Sequence, residues 1–109
     1  MQRADFSNAI LINTNFSKAE LGRVNFSGAK ITGIVFTHAN LARTDLRNTD
    51  FTGAIDFTNA RLFLTRIEGV DLSNATGLAQ WQIDMSCGDM TTKLPQKLLP
   101  SSSWPCEES

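Results

Sequence analysis

The sequence predicts an all-β fold, a four-sided solenoid closed by a short helix and an extended tail. Three observations predict it. A large apolar residue recurs at every fifth position: Phe6, Leu11, Phe16, Leu21, Phe26, Ile31, Phe36, Leu41, Leu46 and Phe51. Two residues before each stands a small or β-branched one: Ala4, Ala9, Thr14, Ala19, Val24, Ala29, Ile34, Ala39, Thr44 and Thr49. Residues about 20 apart are alike, as expected if four five-residue units complete one turn.

A helix needs a period of 3.6 and a strand a period of 2. A period of five fits neither. It fits a chain that turns a corner every five residues and points the same two positions inward each time. After Phe51 the centres shift by one residue to Phe57, Leu62, Ile67 and Leu72, preceded by Ile55, Ala60, Thr65 and Val70. The insertion falls near Gly53–Ala54–Ile55 and predicts a bulge at a corner, where glycine tolerates the backbone angles required. In all, 14 repeats run from Ala4 to about Asn74.

Four columns follow from the second period: Phe6, Phe26, Leu46, Ile67; Leu11, Ile31, Phe51, Leu72; Phe16, Phe36, Phe57; and Leu21, Leu41, Leu62. The third is all Phe, and the fourth is all Leu with Ala19, Ala39 and Ala60 beside it. These 14 centres are the expected core. At strand spacing, three and a half coils make a rod roughly 17 Å long.

Units such as Ala4-Asp5-Phe6-Ser7-Asn8, Ala39-Asn40-Leu41-Ala42-Arg43 and Val70-Asp71-Leu72-Ser73-Asn74 resemble the pentapeptide repeat family, in which a small residue, Asp or Asn, Leu or Phe, and two polar residues recur. The resemblance covers about two thirds of the chain and implies a right-handed quadrilateral β-helix. Departures stand before the centre, at Ile10, Lys30, Val35, Arg61 and Arg66. The stretch Gly77 to Asp84, then Cys87-Gly88-Asp89 and Lys93-Leu94-Pro95, resembles a C-terminal extension of bacterial family members, which often carry a helix-capping Thr where Ala79 stands.

Two segments are therefore expected, a repeat solenoid over 1–75 and a capping helix with tail over 76–109. Leu78, Trp81, Gln82 and Met85 lie at helical spacing, predicting a helix from Thr76 to about Met85, with Gly88 at its end. An open solenoid end exposes unpaired strand groups and core side chains. Leu78, Trp81, Ile83, Met85 and Trp104 are expected to cover it, and the same tail is expected to cover the outward-pointing Phe63 and Leu64. A Cys87–Cys106 bond would close a loop of about 20 residues, worth roughly 3 kcal/mol; two free thiols in a reducing compartment fit the sequence equally. The compartment is accordingly cytoplasmic, or periplasmic or exported if the cysteines are bonded. At the other end, Phe6, Ile10, Leu11, Ile12 and Phe16 are expected on an open first coil, which either self-associates or follows a preceding segment such as a removed signal peptide.

The 109 residues suit one domain, and a formal net charge of −1 draws the chain toward neither nucleic acid nor anionic membrane. No apolar run is long enough to span a bilayer. Chemistry is sparse. His38, the single histidine, falls at the last position of a repeat, facing solvent. Neither zinc-ligand spacing nor a phosphate-binding glycine loop is present, so no enzyme, cofactor or metal is expected. Stacking should set Asp45 against Arg66 and Arg47 against Glu68, as structural pairs. Asp50 and Asp71, near Lys30, read as solvated ladder residues rather than a weak cation site, and Arg23 and Arg43 share a corner but are too few for nucleic acid.

The expected role is a non-enzymatic interaction or structural scaffold with a protein partner. The resemblance carries an alternative, because some family members mimic DNA and bind type II topoisomerases. That mimicry needs a long acidic rod, whereas this short chain places Lys30, Arg47, Arg61 and Arg66 outward.

Overall fold

A computed structural model describes residues 4–102 and 104–106. Its backbone repeats one five-residue geometry. Outside the strands, the carbonyl of each centre accepts from the N–H three residues on, as in Phe6 O to Ala9 N and Phe16 O to Ala19 N, both 3.0 Å. Two residues past the centre, φ is positive at Asn8, Lys18, Arg23, His38, Arg43, Asn48, Asn59, Leu64 and, where no side chain opposes it, Gly28 and Gly69. A turn of this kind demands the left-handed region at its third residue, so every corner pays a steric cost unless Gly or Asn occupies it.

Between corners the coils stack in parallel register. Four strands, β1 (Ile10–Asn15), β2 (Lys30–Val35), β3 (Asp50–Asp56) and β4 (Ala75–Thr76), form one parallel sheet in that order. Pairs such as Leu11↔Ile31 and Ile31↔Phe51 are 20 residues apart. Single bridges continue the ladder on other sides: Asp5↔Asn25↔Asp45↔Arg66 and Glu20↔Asn40↔Arg61. The sheet register shifts between Thr32↔Thr52 and Ile34↔Ile55, which places the extra residue at the expected bulge.

Of the 14 centres, Leu21, Phe26, Ile31, Phe36, Leu41, Leu46, Phe57, Leu62, Ile67 and Leu72 are buried. Phe6, Leu11 and Phe16 on the first coil, and Phe51 beside the bulge, are only partly buried. Like rings stack along the axis, Phe16 on Phe36 at 6.0 Å and Phe36 on Phe57 at 5.3 Å between centroids. Where a buried small inward position holds Thr, its hydroxyl is satisfied by backbone: Thr44 Oγ1 donates to Leu21 O and Thr65 Oγ1 to Leu41 O, both at 2.7 Å. Buried hydroxyls without partners would cost stability.

The ladder outlasts the sequence pattern. Cys87 bridges Arg66 and Lys93 bridges Asp71; Cys87 N donates to Thr65 O at 2.8 Å and Lys93 N to Val70 O at 3.0 Å. Between Thr76 and Cys87, helix α1 (Gln80–Met85) replaces one side of a coil. It starts four residues later than the spacing predicted, because Ala75 and Thr76 pair with β3 instead. It ends at Ser86, whose N–H returns to Ile83 O, rather than at Gly88. Gly88 has a packing role, since a Cβ there would lie 2.7 Å from the Trp104 ring.

The cap corrects the expected inventory. Ile83 is fully buried, 21 residues beyond Leu62, but Trp81 is 48% exposed. Gln82 goes inward instead: its Nε2 donates to Phe57 O at 2.9 Å and Ala60 O at 3.0 Å, and its Oε1 accepts from Ala79 N at 2.7 Å. In earlier coils the matching carbonyls, Ala19 O and Ala39 O, accept from Asn40 N and Arg61 N. The Gln82 amide thus supplies the rung a further coil would have supplied. Leu78, Met85 and Trp104 pack partly buried against the core. The Cys87 and Cys106 sulfurs are bonded at 2.10 Å, and Trp104 Nε1 donates to Ser86 O at 2.9 Å beside them.

Candidate functional site

What a solenoid offers a partner is its outer surface, and the outward rungs define each side. On the first side, the Asp or Asn before each centre bends back to accept a backbone N–H two residues on: Asp5 from Ser7 N and Asn25 from Ser27 N, both at 2.8 Å, and Asp45 from Arg47 N at 3.0 Å. This satisfies turn N–H groups that point away from the ladder and explains the residue preference at that position. Hydrogen bonds from the Ser7 hydroxyl and backbone hold the Asp5 carboxyl below its usual range, as Thr58 and Ser73 do for Asp56 and Asp71. Burial pushes Asp45 up, but hydrogen bonds from Arg47 and the charges of Arg47 and Arg66 outweigh it and leave it lowered.

The ion pairs on this side differ from expectation. Asp45 and Arg66 are ladder neighbours, yet Asp45 pairs with Arg47 at 2.7 Å and Arg66 with Glu68 at 2.8 Å, both within one coil. A two-residue span across a tight turn brings these side chains together with less extension than the stacking direction does.

The second side is the flat sheet face. Ile10, Lys30 and Asp50 form one outward row, and Ile12, Thr32 and Thr52 another, with Thr32 and Thr52 hydroxyls 3.0 Å apart. Ile10 and Ile12 are 72% and 66% exposed, as outward strand positions require. Asp50 lies beside Lys30, whereas Asp71 lies beside Lys93 and accepts from Ser73 Oγ at 2.6 Å. Among the described residues no three metal-ligating side chains stand together, and no helix is long and apolar enough to cross a membrane.

The fourth side differs from the others. Lys18, His38, Arg23 and Arg43 stand at its corners, exposed, and Arg61 on its outward row. Phe63 was expected under the tail and is 49% exposed, because α1 passes beside it and leaves a groove of about 580 Å³ lined by His38, Asn59, Arg61, Phe63, Trp81 and Met85. Leu64 is partly covered, and its N–H donates to Met85 O at 2.7 Å. The Arg43 guanidinium sits 5.9 Å from the Phe63 ring centre. Sequence spacing did not reveal this groove, because it depends on where the helix docks. A smaller depression of about 400 Å³ lies along the third side, between Asn13, Val35, Asp56 and Thr76.

A family comparison agrees with the repeat geometry. The family described as Pentapeptide repeat region matches residues 1–76. A solved structure of a pentapeptide repeat protein from the Arabidopsis thaliana thylakoid lumen is similar at 26% identity and a TM-score of 0.47, over 82% of this chain and 57% of that one. This chain therefore spans little more than half the length of that relative. No curated protein matches the sequence. With its five-residue turns, parallel ladder and matched repeat region, the chain belongs to the pentapeptide repeat family, with that family's right-handed quadrilateral β-helix.

Proposed function

We propose that the protein is a non-enzymatic scaffold that presents a rigid side of its solenoid to a protein partner. The observation that carries this reading is the ladder itself. Backbone bonds between coils at 2.6–3.1 Å run from Phe6 to Lys93 and fix outward side chains in rows. Such rows are already ordered before binding, so association loses little conformational freedom. The depressions on the third and fourth sides are open grooves, a form suited to an extended partner more than to an enclosed small substrate.

Partner capture tests the reading. Protein immobilised through its tail is incubated with source-cell extract at moderate salt, beside variants altered on single sides, Asp50→Asn with Asp71→Asn and Arg43→Gln with Arg61→Gln. One protein retained by the wild type and lost in one variant supports a scaffold and names its working side. Retention of nothing above background overturns it. A type II topoisomerase supercoiling assay runs alongside; inhibition would favour DNA mimicry instead, a role the exposed Arg43 and Arg61 oppose.

A further inference from the structure

The near-neutral chain is not neutral side by side. Four exposed cations, Lys18, Arg23, Arg43 and Arg61, share the fourth side and its corners with His38. Among the described residues two acids stand near them, and each already accepts a side-chain amide: Glu20 from Asn40 Nδ2 at 3.0 Å and Asp84 from Gln80 Nε2 at 3.1 Å. The ion pairs among the described residues that hold Arg47 and Arg66 lie on the first side. Phe63 and Trp81, half exposed, border the groove at the end of the cationic side. A neutral rod with scattered charges needs no such concentration, and closure of the core by Gln82 and Ile83 leaves the Trp81 ring at the surface.

We infer that this side docks an acidic, extended segment of a partner protein, which seats one apolar side chain between Phe63 and Trp81. The inference rests on the scaffold reading and assigns its working side. Arginine forks take carboxylates with two hydrogen bonds each, and Trp and Arg are the residues that dominate interface energetics when a pocket is filled. An extended peptide turns alternate side chains to one face, with about 6.8 Å between them. It can set carboxylates on Arg23, Arg43 and Arg61 while passing Glu20 with an uncharged residue. A nucleic-acid strand carries a charge at every nucleotide and has no such freedom.

The probe is a labelled peptide of alternating glutamate and serine around one central phenylalanine. Its affinity is measured by fluorescence anisotropy against the full chain. Glutamine-for-glutamate and alanine-for-phenylalanine versions, and an oligothymidylate of equal length, are the comparisons. The acidic peptide should bind at least about tenfold more tightly than either altered peptide and weaken as salt rises. Arg43→Gln with Arg61→Gln, and separately Trp81→Ala, should each reduce affinity about tenfold while leaving the melting curve intact, since these side chains are exposed. Unchanged binding to these variants, equal or tighter binding of oligothymidylate, or no binding up to the peptide's solubility limit would overturn the inference. If the peptide fails but the extract yields a protein lost only on the Asp50/Asp71 variant, the docking assignment falls and the scaffold reading stands.

Discussion

Replacing Gln82 with Leu tests how the solenoid is terminated. Gln82 is fully buried on α1 (Gln80–Met85), and its amide makes three hydrogen bonds. Leucine keeps comparable bulk and removes all three. Phe57 O retains the Ala60 N–H at 2.9 Å, so its loss is small. Ala60 O and Ala79 N are left without the partners described above. A buried polar group without its partner costs about 1–3 kcal/mol; Ala79 is only partly buried, so its share lies at the low end. The sum is about 3 kcal/mol, part of it offset by leucine's greater apolarity, and at roughly 4 °C per kcal/mol the midpoint should fall by about 8–12 °C. Thermal unfolding followed by far-UV circular dichroism measures this. Gln82→Glu provides the sharper arm. At neutral pH its carboxylate offers no donor to either carbonyl, so it should be worse than leucine, and it should partly recover in acid, when the carboxyl regains a proton. A Gln82→Leu protein melting within about 2 °C of wild type would refute the view that this amide completes the ladder.

Further outcomes follow from the same structure. Reducing Cys87–Cys106, 19 residues apart in sequence, should lower stability in urea titrations by about 3 kcal/mol; a loss below about 1 kcal/mol would mean that tail contacts hold Cys87 without the bond. Gly77 has φ +76° and a Cβ there would lie 2.6 Å from Thr58 N, so Gly77→Ala should cost about 2 kcal/mol or more. At Gly28 the nearest atom is the movable Asn8 Oδ1, and Gly28→Ala should cost clearly less; equal costs would contradict a backbone clash. Asp5, Asp45, Asp56 and Asp71 have lowered folded-state values. Their contribution is therefore full above the unfolded aspartate range, about pH 4, and is lost as pH falls through the folded values. The melting temperature should drop below about pH 4, and Asp→Asn at Asp5, Asp56 and Asp71 together should flatten that drop while keeping the turn acceptors, as Asn15 and Asn25 do.

Why the repeats were readable and the cap was not is clear from individual residues. Each coil is built from local turns, and each rung meets a rung one circuit away, so a period of five and a second period near 20 encode both the turn and its neighbour. That is why Phe16, Phe36 and Phe57, or Leu21, Leu41 and Leu62, could be stacked on paper and are stacked in space. The bulge near Gly53 was equally legible, because one inserted residue displaces every later centre by one.

The sequence by itself thus determined the coil, its four sides, its inward columns and the neighbours along the ladder, since all of these follow from a local geometry that repeats. It even held a trace of the cap, in Ile83 standing 21 residues beyond Leu62. Only the tertiary structure decided that Gln82 turns inward and Trp81 outward. Helical spacing admits both, and apolarity favours the tryptophan as the buried residue, but the last coil presents an open carbonyl, Ala60 O, that a primary amide can fill. The same docking left Phe63 beside a groove instead of beneath the tail, and so set the aromatic pair next to Arg43 and Arg61. Hydrogen-bond demand at the end of a ladder, a condition no repeat inside the ladder ever meets, made that choice.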